Sequence, residues 1–238
     1  MNTSAAFDRG AARYDLMVRL NPGYHRELRR AATALADRLG GVAEPDLLDL
    51  ACGSGASTAA LLGAFPQGRV LGLDASPGML AAAGAKNWPE RVEFGRAVAG
   101  ELDLDALGRG SRDGVLTCYL FRNVPAQARD RAVAEVFELL RPGGTLVVQE
   151  YSVAGNRRAR RVWDAVCHAV IIPLGAALDR NPGLYRYLWR SVVDFDSVGR
   201  FADRLVAAGF TDVAHRTAGG WQRGILHTFT ARKPEERP

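Results

Sequence analysis

Leu47-Leu48-Asp49-Leu50-Ala51-Cys52-Gly53-Ser54-Gly55, followed downstream by Val70-Leu71-Gly72-Leu73-Asp74, decides how this chain folds. Leu47 to Leu50 is a short apolar run, predicted as a strand, and Ser57 to Ala64 is predicted as the helix after it. A glycine turn between a strand and a helix can reach φ > 0 and lets a ligand touch bare backbone. The helix behind it offers N–H groups with no internal partner. Val70 to Leu73 is predicted as the second strand, and Asp74 at its end is placed to accept hydrogen bonds from ribose hydroxyls. Ser76 reads as the N-cap of the next helix, with Pro77 at its first position. The layout is that of a nucleotide site. It departs from the dinucleotide fingerprint Gly-x-Gly-x-x-Gly, because Thr58 stands at the third glycine position. A lone Gly-x-Gly also reads as a plain tight turn.

Upstream, Leu28, Ala31, Ala32, Leu35 and Leu39 recur at helical spacing, predicting a helix over Tyr24 to Leu39 that Gly40 and Gly41 end. Downstream, Val92 to Phe94 and Gly114 to Leu120 are predicted as strands. A helix over Gln127 to Leu140 is expected to stop at Arg141-Pro142-Gly143-Gly144, before a strand at Thr145 to Tyr151. These strands are apolar throughout rather than half polar, as when both sheet faces are covered. Leu47 to Tyr151 therefore predicts an open α/β sheet with right-handed crossovers. From Val153 to Arg190 the alternation lapses into two predicted helices, broken at Pro173 and at Asn181-Pro182-Gly183. Their large apolar groups, Trp163, Ile171, Ile172, Leu184, Tyr185 and Trp189 among them, suit a lid or pocket wall. A helix at Ser197 to Ala208, a strand around Val213 and a last strand at Leu226 to Ala231 complete the reading.

The composition of the 238 residues, 47% hydrophobic and 24% charged, excludes disordered, collagenous and low-complexity classes. The longest apolar stretch, Val162 to Leu178, contains Asp164, His168 and Pro173, so no membrane span is expected. Met1 to Gly10 has no apolar signal core, so a cytoplasmic location is expected. Cys52, Cys118 and Cys167 lie far apart without metal-ligand spacing, which predicts reduced thiols and no metal. Basic residues number 31 against 26 acidic ones, a formal charge of +5, and nearly all are Arg. Compositional bias is one reading of this. The clusters His25-Arg26, Arg29-Arg30 and Arg157-Arg158, Arg160-Arg161 admit another, an anionic partner. They lack the interleaved aromatics that stack on bases, so no nucleic-acid partner is expected. A surface of anionic lipid stays open as a partner, as does a homodimer.

Together the first glycine loop and Gly72-Leu73-Asp74-Ala75-Ser76 resemble the S-adenosylmethionine site of class I methyltransferases. Other segments narrow the match: Phe7-Asp8-Arg9, Arg13-Tyr14-Asp15-Leu16-Met17, Phe121-Arg122-Asn123-Val124-Pro125, Leu140-Arg141-Pro142-Gly143-Gly144, Gln149-Glu150-Tyr151-Ser152, Tyr185-Arg186-Tyr187-Leu188-Trp189-Arg190-Ser191 and Ala208-Gly209-Phe210. In this order the chain, from about Phe7 to Lys233, resembles the UbiE/MenG family of quinone-biosynthesis C-methyltransferases. The resemblance implies an α/β fold, a Rossmann-like seven-stranded, mostly parallel sheet with helices on both faces and a helical lid insertion. It implies S-adenosylmethionine as cofactor and methylation of a ring carbon, or oxygen, of a small apolar quinol or phenol, with a demethylmenaquinol-type acceptor leading. The expected organisation is an N-terminal helical cap (1–40), a cofactor-binding core (41–152), a helical lid over the acceptor (153–192) and a C-terminal helix and strands (193–238).

Carried over by position, Asp49, Ala51, Gly53, Ser54, Gly55, Asp74, Ala75, Met79, Val98, Ala99 and Cys118 would bind the cofactor. Tyr14, Arg122 and Asn123 would face the reacting centre. These residue types suit the chemistry. A ring carbon is a weak nucleophile until a neighbouring phenol loses its proton, and Arg122, a permanent cation, can stabilise the phenolate. Its high pKa makes it a poor base. Water, His25, Tyr14 and His168 stay open as proton acceptors. The chain also departs from the family. Val98 stands where an acidic residue or Asn usually contacts adenine, and one missing hydrogen bond costs about 0.5–1.5 kcal/mol. Val18, Asn21-Pro22-Gly23, Leu28, Ala126 and Trp221-Gln222-Arg223 differ on the acceptor side, which points to a secondary-metabolite phenol or polyketide as the alternative acceptor. A cofactor-binding protein that no longer transfers methyl, and an RNA methyltransferase, are the further alternatives.

Overall fold

The computed structural model describes residues 23–179 and 182–235. Tyr14 and the Phe7 to Met17 segment lie outside them. Helix α1 spans Tyr24–Leu39 and closes on Gly40, whose left-handed φ of 60° lets its N–H reach the Ala36 carbonyl. Strand β1 (Asp46–Leu50), helix α2 (Ala56–Ala64), strand β2 (Arg69–Asp74), helix α3 (Pro77–Gly84) and strand β3 (Val92–Arg96) follow. The Ser76 hydroxyl accepts the Met79 N–H at the start of α3, with Pro77 at the first position, as its sequence signature predicts. After β3 come a single turn α4 (Leu104–Leu107), strand β4 (Arg112–Cys118), helix α5 (Arg129–Leu139) and strand β5 (Leu140–Tyr151). Helix α6 (Arg157–Val166), a π turn (Cys167–Ile171), α7 (Ile172–Asp179) and α8 (Pro182–Val193) form the insertion. Helix α9 (Val198–Ala207) and strands β6 (Thr211–Thr217) and β7 (Leu226–Arg232) finish the chain.

The seven strands form one sheet in the order β3-β2-β1-β4-β5-β7-β6. β1 to β5 are parallel, and β7 runs antiparallel between β5 and β6. The order reverses between β1 and β4, so the carboxyl ends of these two strands open a crevice, the usual ligand position in such sheets. Alternate residues of each strand feed two cores. Leu47, Leu116 and Val147 pack with Leu28, Leu35 and Leu61 of α1 and α2. Leu48, Val115 and Val148 pack with Val133, Val136 and Phe201 of α5 and α9. Both faces are covered, which is why the strands carry no polar alternation.

Three local expectations are corrected. Arg141-Pro142-Gly143-Gly144 does not separate α5 from its strand but lies in β5, because the Gly143 N–H and the Gly144 carbonyl pair with Lys233 after β7. The fourth strand ends at Cys118, since Tyr119 turns the chain with a φ of 63°. Pro173 does not break the insertion helix. It has no N–H to donate, and the chain passes it through the π turn, with the Ile172 N–H on the Cys167 carbonyl.

Candidate active site

The glycine loop is held from beneath by β2. The N–H groups of Ala51 and Cys52 both reach the Leu73 carbonyl, at 2.7 and 3.1 Å. This double tether holds Ala51 at a φ of 66°, which a residue with a Cβ rarely adopts. Gly53 and Gly55 also have positive φ, 55° and 91°. A Cβ on Gly53 would meet open space, whereas one on Gly55 would lie 2.6 Å from the Trp88 ring. Gly53 is therefore bare toward the crevice, and Gly55 is bare so that Trp88 can back the loop.

Asp74 ties this loop to the next turn. Its Oδ2 accepts the Gly53 N–H and its Oδ1 the Ser76 N–H, each at 2.8 Å. Asp74 itself lines the crevice at the end of β2. Asp49 has a different station. It is wholly buried under the loop, accepting the Ser57 and Thr58 hydroxyls at 2.8 and 2.6 Å through Oδ2, while Oδ1 has no hydrogen bond among the described residues. Burial pushes its carboxyl up to about 6, against those two hydroxyls.

A cavity of about 470 Å³ starts at this loop and ends on the turn after β4, within the usual range of small-molecule sites. At its far end stands Arg122. Its Nε lies 3.2 Å from Glu150 Oε1, and its Nη1 donates to Ser191 Oγ at 2.8 Å and to Asn123 Oδ1 at 3.1 Å. Nη2 has no partner among the described residues. Glu150 is fully buried in β5, and its carboxylate also accepts the backbone N–H of Arg122 at 3.2 Å and of Tyr151 at 3.0 Å. Burial raises the Glu150 pKa despite the guanidinium beside it. The pair thus fixes geometry at a desolvation cost, rather than adding net stability. Asn123 donates to the Tyr119 carbonyl at 2.8 Å and accepts the Tyr187 hydroxyl at 3.1 Å. One amide N–H of Asn123 has no acceptor among the described residues. Ser191 and Tyr187 belong to α8, so the insertion touches both cavity residues directly.

Of the residues singled out in the sequence, Ala51, Gly53, Ser54, Asp74, Ala75, Met79, Val98, Ala99, Cys118, Arg122 and Asn123 all line the cavity. Asp49 and Gly55 do not: the one faces the base of α2 and the other Trp88. Tyr14 lies outside the described residues. His25 on α1 and His168 on the π turn are exposed, and neither lines the cavity. Sequence reasoning missed Tyr24, Ser57, Arg96 and Tyr119 as lining residues. The two tyrosines begin a stacked column, Tyr24, Tyr119, Tyr151 and Trp163, with centroids 5.5, 5.1 and 5.3 Å apart. The signal available was the cluster of aromatics around Arg122, which a periodicity reading assigns to strand.

The ubiE/COQ5 methyltransferase family matches residues 2–233. A ubiquinone/menaquinone biosynthesis C-methyltransferase (UbiE) of Methylobacterium nodulans is 33% identical over 214 residues, 88% of this chain and 83% of the relative. A demethylmenaquinone methyltransferase of Clavibacter sepedonicus is 35% identical over 221 residues, 91% of this chain and 86% of the relative. The crystal structure of the 1,6-didemethyltoxoflavin N1-methyltransferase of Burkholderia thailandensis, with S-adenosylhomocysteine bound, superposes with a TM-score of 0.65 at 21% identity. It covers 98% of this chain and 87% of its own, a likeness of fold. With the family matched over nearly the whole length and relatives above 30% identity along most of it, the chain belongs to the ubiE/COQ5 methyltransferase family.

Proposed function

We propose that this chain, an S-adenosylmethionine-dependent methyltransferase, methylates a ring carbon of a small apolar quinol of the demethylmenaquinol type. One observation carries the reading: a single cavity joins the glycine loop and Asp74 at one end to Arg122 and Asn123 at the other. The residues present fit the cofactor. Asp74 puts a carboxylate on the cavity wall to accept from a diol, Gly53 leaves bare backbone, and Leu50, Met79, Val98 and Ala99 give apolar walls for a base. When bound, the cofactor supplies an electrophilic methyl group on a sulfonium.

The protein's own part is alignment and charge. Alignment of two bound reactants can lower a barrier by up to roughly 7–11 kcal/mol. Arg122 lines the cavity, and its guanidinium stabilises the oxygen that bears phenolate charge. Removing such a donor costs about 10²–10³ in rate. The remaining Asn123 N–H serves the second ring oxygen or a water. His25 and His168 do not line the cavity, so in this proposal water or Tyr14 takes the ring proton. In this proposal residues 41–152 hold the cofactor, and the insertion, 153–192, serves the acceptor end through the α8 residues Ser191 and Tyr187, which reach Arg122 and Asn123. We place the enzyme in the cytoplasm, at the membrane surface where an apolar quinol dissolves; no helix among the described residues is long and apolar enough to cross a membrane.

Titration calorimetry with S-adenosylhomocysteine, and methyl transfer to a reduced demethylmenaquinone, test this reading. Binding that Asp74→Ala weakens at least tenfold, with transfer that Arg122→Gln lowers at least a hundredfold, is expected. Wild-type protein that takes up no S-adenosylhomocysteine at millimolar ligand overturns it. The departures around Val98 and the acceptor side keep a second reading, a phenol or polyketide of secondary metabolism. Good cofactor binding with no transfer to any quinol favours it.

A further inference from the structure

The two faces of the insertion helix differ sharply. Ala159, Trp163 and Cys167, one turn apart, are buried in the insertion's own core with Val153, Val192 and Ile225. The opposite face is exposed along its whole length. It begins with Arg157, Arg158 and Arg161 and continues with Ala165, Ala169, Val170, Pro173, Leu174 and Ala177. Val170 and Leu174, at 54% and 39% exposure, are two of the five large apolar side chains exposed among the described residues, and another, Val98, lines the cavity.

The charge is as uneven. Between residues 153 and 192 the sequence has seven Arg against two Asp, a balance of +5 that equals the charge of the whole chain. Everything outside the insertion is balanced, 24 of each sign. Within it, Asp164 is taken up by Arg160 and by the Trp189 indole N–H, and Arg157, Arg158 and Arg161 on the exposed face form no ion pair among the described residues.

We propose that this outer face of α6 and α7 docks on an anionic lipid bilayer. Arginines at one end and small or apolar groups along the rest form the pattern of a helix lying in the interface, its basic end on lipid phosphates and its apolar side among the upper acyl carbons. Complementary charge selects the occupant: a second copy of the chain would bring the same arginines and repel. The placement also serves the cavity, because α8, packed on α7 through Gly175 against Tyr185, holds Tyr187 and Ser191 on Asn123 and Arg122. The purpose of the docking rests on the quinol reading; its test does not.

The full chain is sedimented with vesicles of phosphatidylcholine alone, and with vesicles in which about a third of the lipid is phosphatidylglycerol. Binding to the anionic vesicles, weakened as salt rises from 50 to 500 mM, is expected. An arginine near a charged surface contributes about fivefold in affinity, so Arg157→Ser, Arg158→Ser and Arg161→Ser together lower it on the order of 100-fold. Val170→Ser with Leu174→Ser lowers it at every salt concentration. Neither variant changes S-adenosylhomocysteine binding or turnover of a chain-free, water-soluble quinol. Equal binding to both vesicle types, no binding to either, or anionic binding that both variants retain overturns the proposal. So does a wild-type dimer in sedimentation velocity that Leu174→Ser dissolves. A chain that docks on vesicles yet methylates no quinol sinks the acceptor reading and leaves the docking standing.

Discussion

Replacing Glu150 by Gln tests the architecture of the acceptor end most directly. The two side chains have nearly the same shape, so packing is preserved and only charge and donor count change. Both carboxylate oxygens are committed as acceptors: Oε2 to the Arg122 N–H, and Oε1 to the Tyr151 N–H with Arg122 Nε 3.2 Å away. A glutamine has one acceptor oxygen and must turn its NH₂ toward another N–H. It also leaves a guanidinium that is only 7% exposed without its counter-ion. Breaking one side of a buried pair costs about 3–5 kcal/mol. At roughly 2–4 °C per kcal/mol for a chain of this size, the melting temperature falls on the order of 6–20 °C. Arg122→Met strands the carboxylate and costs a similar amount. The double variant removes both charges, so it is less damaged than the sum of the singles, with a coupling of about 0.5–3 kcal/mol. Urea or thermal unfolding at pH 7 of the four proteins measures this cycle. Turnover of Glu150→Gln falls on the order of 10²-fold, because a guanidinium misplaced by about 1 Å loses that much. A Glu150→Gln protein within about 1 kcal/mol of wild type, or singles that simply add, refutes the account of Glu150 as the residue that sets Arg122.

Two further outcomes follow from the loop. The Asp49 carboxyl, raised from 3.8 to about 6 by burial, holds its proton more tightly in the folded than in the unfolded chain. Stability is therefore lost as pH rises from about 4 to about 6 and stays lost above, by about 3 kcal/mol for a shift near two units. Asp49→Asn flattens that part of the profile in melting curves between pH 4 and 8; a variant whose disadvantage grows with pH contradicts the placement. At the cavity wall, Val98→Asn restores a polar partner where Val98 is 41% exposed. S-adenosylhomocysteine then binds up to about tenfold more tightly by calorimetry, the value of about 0.5–1.5 kcal/mol for one hydrogen bond. Unchanged affinity means the base lies elsewhere on that wall.

What the sequence disclosed, and what it hid, divides along the reach of the interactions. The loop between β1 and α2, the carboxylate ending β2 and the Ser76 cap are each settled within a few residues, by glycine φ, strand ends and a side chain bonding three positions on. Those features were legible. Arg122 was legible as a residue type but not as a geometry, since its direction is set by Glu150, 28 positions away, and Ser191, 69 positions away. Periodicity records which face of an element is apolar and says nothing of which polar groups meet across elements. The same limit explains Asp49. Standing four residues before Gly53, it looks like a ligand-facing carboxylate. Yet Ser57 and Thr58, polar residues on the buried face of α2, are hydroxyl donors that need an acceptor beneath the loop. A polar pair at positions where a helix should be apolar was the available clue, and read that way it moves Asp49 from the cavity wall to the foundation of the glycine loop.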